Sequence, residues 1–213
     1  MLAGIQFRDP AAIEVGDPRI GLFRTPWWEK AEPEGRGAVE ATAQALARSG
    51  ASVSELTIPG FEELRDAHVK IMSSEIASSR QHEYENHRTM LSERLVEIIE
   101  NGRALTISEV QNAIRVARRG HNQIAEVFAS FDVLLTPSAT GAAPEGLSFT
   151  GDPIFNGIWT LLGVPCITYP AGRSTKGLPL GVQVIGPVDE DDRLIATTKW
   201  MQENSAPSEL RCD

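Results

Sequence analysis

Residues 19–58 change periodicity twice within a span of 40 residues, and this restricts the fold more than anything else in the chain. Arg19-Ile20-Gly21-Leu22-Phe23-Arg24 reads as a short strand. Residues 35–49 then place Val39, Ala43, Leu46 and Ala47 at helical spacing, and Gly50 is well placed to end the helix at C′. Residues 51–58 alternate, with Val53, Leu56 and Ile58 apolar among polar neighbours. A strand, a helix and a strand in this compass form a βαβ unit, so the two strands run parallel.

The rest of the chain continues in the same style. Residues 61–90 contain neither Pro nor Gly and predict helix. Residues 92–100 continue it with Leu95, Ile98 and Ile99 on one face, and Asn101-Gly102 is expected to stop it. Thr106-Ile107-Ser108-Glu109 fits a capping box, which satisfies the first N–H groups of the helix that follows. That helix sets Val110, Ile114, Ala117, Ile124 and Phe128 near one stripe. Residues 132–137, Asp-Val-Leu-Leu-Thr-Pro, form the short continuous apolar run of a strand buried on both faces. Residues 138–150 are a small-residue loop, and residues 153–162 predict a helix with Pro153 at N1. Strands are predicted at 164–169 and 180–185, with a loop at 172–177 between them. A last helix starts within 187–192, where acidic residues complement the positive end of its dipole. No internal repeat is visible. The fold class is therefore α/β, a mixed central β-sheet covered by α-helices, in a single domain over residues 1–213 with 205–213 a frayed tail.

Charge and cysteine usage exclude several functions. The chain carries 20 basic and 29 acidic residues, for a formal charge of −9. Nucleic acid is excluded as a main partner, because phosphate contacts need a basic face. No apolar run is long enough for a membrane span, and residues 1–9 lack the basic and apolar regions of a secretory signal. Two cysteines, Cys166 and Cys212, make neither a disulfide framework nor a zinc cage. A cytoplasmic setting is the expectation.

Motif by motif, no complete catalytic set emerges. His82 and His87 are five apart, about 140° around a helix, so they do not share a face as zincin ligands do. His68 and His121 stand alone. Gly177-Leu178-Pro179-Leu180-Gly181 lacks the endings of a phosphate loop and reads as a turn feeding a strand. Cys166 sits among Val164, Pro165, Ile167 and Tyr169, which predicts a buried and inert thiol; Cys212 lies in the tail. Ser73-Ser74 and Ser78-Ser79 lie in helix-forming sequence with no glycine-built oxyanion hole. The acidic run 189–192 lacks the spacing of a calcium loop. No metal site and no cofactor are expected. The adjacent Trp27 and Trp28 either line a cleft or cover core edges.

The last third resembles the amidase signature family. The resemblance rests on Phe131-Asp132-Val133-Leu134-Leu135-Thr136-Pro137-Ser138, on Phe155-Asn156, Trp159-Thr160 and Leu162-Gly163-Val164-Pro165-Cys166, and on Tyr169-Pro170-Ala171-Gly172 followed by residues 177–187, Gly-Leu-Pro-Leu-Gly-Val-Gln-Val-Ile-Gly-Pro. Asp17-Pro18-Arg19-Ile20-Gly21 fits the entry of the earlier βαβ unit. The family hydrolyses amides with a Ser–cis-Ser–Lys triad on a Gly/Ser-rich segment upstream of the region matched here. Residues 1–9 resemble the point just after that catalytic half, so no catalytic residue carries over. The resemblance implies a C-terminal amidase portion, whether fragment, truncated reading frame or one half of a split enzyme. Such a portion completes the sheet and one wall of the pocket for a small-molecule amide, and is inactive alone. Thr136, Pro137, Phe155, Asn156 and Trp159 are the residues implied for that wall, with Asn156 orienting an amide and Phe155 and Trp159 serving either pocket or core. The competing expectation is a non-catalytic interaction module. Half an α/β domain leaves a sheet edge and apolar surface that a second copy or a partner chain must cover.

Overall fold

The computed structural model describes residues 9–207. Among the described residues, 9–58 and 124–207 form one compact unit, and residues 59–123 form a second. The expectations for residues 1–8, for Cys212 and for the end of the tail lie outside the described residues; Ser205 is helical and Ala206 is buried.

The first unit is built on a mixed five-stranded sheet. Its strands are β1 (Arg19–Leu22), β2 (Ser52–Glu55), β3 (Val133–Pro137), β4 (Cys166–Arg173) and β5 (Pro179–Ile185), in the order β2-β1-β3-β5-β4. β1 pairs parallel with β2 and with β3, while β3–β5 and β5–β4 are antiparallel. The βαβ expectation holds: α1 (Pro33–Arg48) joins the parallel β1 and β2. Pro33 starts α1 with its preset φ, Glu34 and Arg48 complement the dipole at its two ends, and Gly50 follows with φ 104°. Val39, Ala43 and Leu46 face inward as expected, but Ala47 is exposed and Thr42 takes the inner position.

Alternation sorts the sheet's two faces. Ile20, Leu22, Val133, Leu135, Val182, Val184 and Tyr169 meet Val39 and Leu46 of α1 and Leu194 and Met201 of α7 (Asp191–Ser205). Each such Val or Leu contributes about 2 kcal/mol of transfer free energy when fully buried. On the other face Leu134, Thr136 and Gln183 are buried. Phe23, just after β1, meets Trp159 of α6 (Gly157–Leu162) edge to face at 6.1 Å. β3 is buried along its whole length, as the apolar run predicts. β4 runs on to Arg173, past the loop expected at 172–177, with a bulge between Pro170 and Gly172.

An ionic clamp fixes the entry to β3. Asp132 accepts from the backbone N–H of Arg19 at 2.8 Å and from the Arg19 and Arg193 guanidinium groups at 3.0 and 2.8 Å. Burial alone would push the Asp132 carboxyl up. The hydrogen bonds from Arg19 and the charges of Arg19 and Arg193 outweigh it and hold the carboxyl below its ordinary value.

The second unit is helical: α2 (Phe61–Ser79), α3 (Gln81–Asn86), α4 (Glu93–Ala104) and the start of α5 (Ile107–Ser130). The helical stretch predicted for 61–90 breaks at Arg80, which caps α2. The capping box forms as read: Glu109 N–H donates to Thr106 Oγ1 at 3.2 Å, and Thr106 N–H donates to Glu109 Oε2 at 2.9 Å. Along α5, Ala113, Ala117 and Ile124 are buried, while Ile114 is exposed. Asn101-Gly102 does not stop α4, which continues to Ala104. Gly102 instead lets α4 lie against α2: a Cβ there would run into the Ser73 carbonyl and stand 2.9 Å from Ala77 Cβ.

Two consequences are testable. Helix propensity alone favours Gly102→Ala by about 1 kcal/mol, but overpacking costs about 3 kcal/mol, so the substitution destabilises. Urea unfolding checks the sign. Asp132→Asn lowers stability by about 2 kcal/mol at neutral pH. A carboxyl held below its unfolded value stabilises above about pH 4, and that stability is lost as pH falls through the folded value. The gap between wild type and Asp132→Asn therefore narrows in acid, as unfolding measured from pH 7 to pH 3 will show.

Candidate functional site

From β1 the chain passes to β2 on one side, while β3 lies on the other. The carboxyl ends of β1 and β3 therefore flank a switch point, where diverging loops leave a crevice. Both loops carry unusual backbone or composition. After β1, Thr25 holds φ 57°, a conformation that costs a β-branched residue, and its hydroxyl accepts from Trp27 N–H at 3.2 Å. After β3, residues 138–143 are Ser-Ala-Thr-Gly-Ala-Ala, and they open one side of a cavity of about 600 Å³.

The floor of that cavity is the face of the β4–β5 hairpin. Gly181 has no side chain because Thr168 and Ser138 cross above it: an added Cβ would stand 2.7 Å from Thr168 Cγ2 and 3.0 Å from Ser138 Oγ. Ser138 Oγ donates to Gly181 O at 2.9 Å, tying the loop to the floor. Asp152 and Asn156 line the far rim, and Asp152 is the charged side chain of the lining. Tyr169 turns its ring to the other face of the sheet, toward α1 and α7, where its hydroxyl is engaged with Ser205 at 2.9 Å and burial pushes the phenol up to about 12. A second cleft of about 1020 Å³ shares Thr140, Ala142 and Pro144 with the first and adds Glu32, Glu34 and Lys176. There Glu34 Oε1 accepts from Thr175 N–H at 3.0 Å.

The five residues implied for the wall fall into two groups. Asn156 opens on the cavity. Its backbone carbonyl accepts from Trp159 N–H at 3.1 Å, and its side chain makes no capping hydrogen bond to α6. Thr136, Pro137, Phe155 and Trp159 are buried behind it. Thr136 Oγ1 donates to Pro137 O at 3.0 Å, and Phe155 packs with Ala31 and Ile154 under Trp27. Trp28 packs against the main core with the Arg24 guanidinium 5.7 Å over its ring, so both tryptophans cover core edges. Sequence reasoning misses Ser138, Asp152, Thr168 and Gly181. The run of small residues directly after a doubly buried strand is the signal that marks Ser138; Asp152, Thr168 and Gly181 carry no such local signal.

The other candidates resolve as follows. The apolar neighbours of Cys166 predict burial, yet it is exposed, because β4 is an edge strand. The atoms around its sulfur nevertheless exclude enough water to push the thiol up to about 11, against a hydrogen bond from Gln183. Such a thiol is a poor nucleophile at neutral pH. His87 leaves the helix that carries His82, so their rings meet edge to face at 5.8 Å. Among the described residues no group of three or more His, Cys, Asp or Glu could hold a metal ion. His68 is half-buried, and desolvation with the nearby Arg65 charge lowers its pKa; His121 Nδ1 lies 2.7 Å from Ala117 O. Several serine hydroxyls are engaged with backbone carbonyls: Ser79 with Ile76, Ser138 with Gly181 and Ser205 with Met201. Among the described residues no helix is long and apolar enough to cross a membrane.

Known proteins share this architecture. The chain is 30% identical over 202 residues to a 2-amino-5-chloromuconic acid deaminase from Comamonas testosteroni, covering 87% of this chain and 43% of that one. It is 29% identical to a glutamyl-tRNA(Gln) amidotransferase subunit from Granulibacter bethesdensis, covering 88% and 44%. A crystal structure of an amidase superposes with a TM-score of 0.82 at 22% identity, covering 91% of this chain and 47% of that one, which shows the common fold. The chain thus spans less than half the length of these relatives. The amidase family profile matches residues 4–195, and the chain belongs to that family.

Proposed function

We propose that this chain supplies the sheet and one pocket wall of an amidase-family hydrolase that cleaves amide C–N bonds, and that it is inactive alone. The supporting observation is the cavity on the β4–β5 floor, built with a polar rim at Asn156 but with no activated nucleophile beside it among the described residues. A serine nucleophile needs an adjacent base and preorganised N–H donors. In this reading those groups belong to the part of the family fold that the chain does not span. A small-molecule amide lies across Ser138 and Thr168, its carbonyl or amide held by Asn156. Phe155, Trp159, Thr136 and Pro137 act from behind by fixing the wall. The setting is cytoplasmic, and neither metal nor cofactor takes part.

The test is hydrolysis of a simple aryl amide by the purified chain. It is run alone and mixed with the portion of the Comamonas testosteroni relative that this chain does not span. The expected result is no turnover alone and turnover in the mixture, reduced about 10-fold by Asn156→Ala through loss of one hydrogen bond. Turnover by the chain alone overturns the proposal. A self-associated chain with an inactive mixture favours the competing reading, a non-catalytic module that pairs with itself.

A further inference from the structure

The candidate cavity does not end at its own rim. Thr140, Ala142, Ala143 and Pro144 line both it and the cleft of about 1020 Å³ beside it, so the two spaces adjoin along residues 140–144. The cleft is walled by Pro33, by that shared stretch and by Phe149 and Leu178. Phe149 and Leu178 are two of the few large apolar side chains that the first unit leaves exposed. Exposed apolar side chains gathered in a groove, next to a cavity with a polar rim, suit a ligand with one polar and one apolar part.

One segment borders both spaces. Glu145 and Phe149 line the cleft, while Thr150, Gly151 and Asp152 line the cavity. Its ends are held: Glu32 N–H donates to Thr140 O before it, and Ile154 and Phe155 are buried after it. Between these anchors, residues 142–152 make no hydrogen bond and no ion pair among the described residues. Gly146 and Gly151 hold φ 85° and 101°, and a Cβ at either would meet nothing within 4 Å, so these glycines serve backbone conformation and not close packing. Leu147, between them, is fully exposed. A segment tied only at its ends and bearing two unburied apolar side chains is drawn down when apolar surface arrives beneath it.

We infer that residues 144–152 form a strap that closes over both spaces when an amide carrying an apolar arm binds, and that Phe149 is the specificity-determining residue that packs on the arm. The inference rests on the proposed function and names its substrate class: an amide with an alkyl or aryl arm of several carbons, in preference to a small primary amide. The amide group lies at Asn156 in the cavity, and the arm crosses residues 140–144 into the cleft, between Phe149 and Leu178. Closure takes Phe149 and Leu147 out of water and shields the amide from solvent.

Two readouts test it. The first is chymotryptic cleavage after Leu147 and Phe149 in the purified chain. Saturating hexananilide, with an arm on each side of its amide, is expected to slow cleavage about 10-fold, whereas acetamide, with no such arm, leaves it unchanged. The second is the ratio of kcat/KM for hexananilide to that for acetamide, measured in the mixture of this chain with the portion of the Comamonas testosteroni relative. The ratio is taken within one preparation, so losses of folding or association cancel. Phe149→Ala is expected to lower it about 10-fold, through loss of one buried aromatic contact. Cleavage indifferent to hexananilide, or a ratio unmoved by Phe149→Ala, overturns the inference and leaves the proposed function standing. Cleavage already suppressed in the mixture without any amide shows the strap packed by the other portion and overturns it too. Protection by hexananilide with no turnover of either amide in the mixture removes the proposed function, while the strap and its apolar ligand stand.

Discussion

Everything in the first unit depends on burying β3. Its five residues have no exposed face, so each of their polar backbone groups must find a partner inside the sheet. β1 supplies one side in parallel and β5 the other in antiparallel register. The strand's entry is fixed by Asp132, which draws Arg19 of β1 and Arg193 of α7 to one carboxylate. Its exit is fixed by Pro137, which has no N–H to continue the ladder. The chain must leave the sheet there, and the small residues that follow open the cavity. The location of the site is a consequence of how this one strand is satisfied.

Elements with strong local chemistry are legible in the sequence. The βαβ unit, the doubly buried strand, the Thr106–Glu109 capping box and the Gly177 turn all rest on spacings a few residues long, and the structure has each of them. Features that depend on distant partners are not legible. Gly102 looks like a helix stop in sequence, but its role is set by Ser73 on another helix. Cys166 sits among apolar neighbours, yet sheet order leaves it on an edge, and order is not encoded in the strand itself. Of the wall residues, Asn156 is readable as polar beside apolar anchors. The floor residues Thr168 and Gly181 become neighbours only through the β4–β5 register.

The distribution of polar groups explains what the chain can and cannot do. Charges are committed to structure: Asp132 to two arginines, Arg24 to Glu40 and Glu55. The Ser138 hydroxyl at the cavity is tied to a carbonyl, and the Tyr169 phenol and Cys166 thiol are both held protonated at neutral pH. What remains is a shaped, mostly neutral wall with the Asn156 amide at its rim. A wall of this kind orients a substrate, but among the described residues it offers no group able to attack one.

The most direct measurement is reaction of the purified chain with a fluorophosphonate, read by intact mass and peptide mapping. Such a probe forms an adduct only with a serine activated by a neighbouring base and N–H donors. The account predicts no adduct on any serine of the chain. Stoichiometric labelling of one serine, abolished by its replacement with alanine, would contradict it.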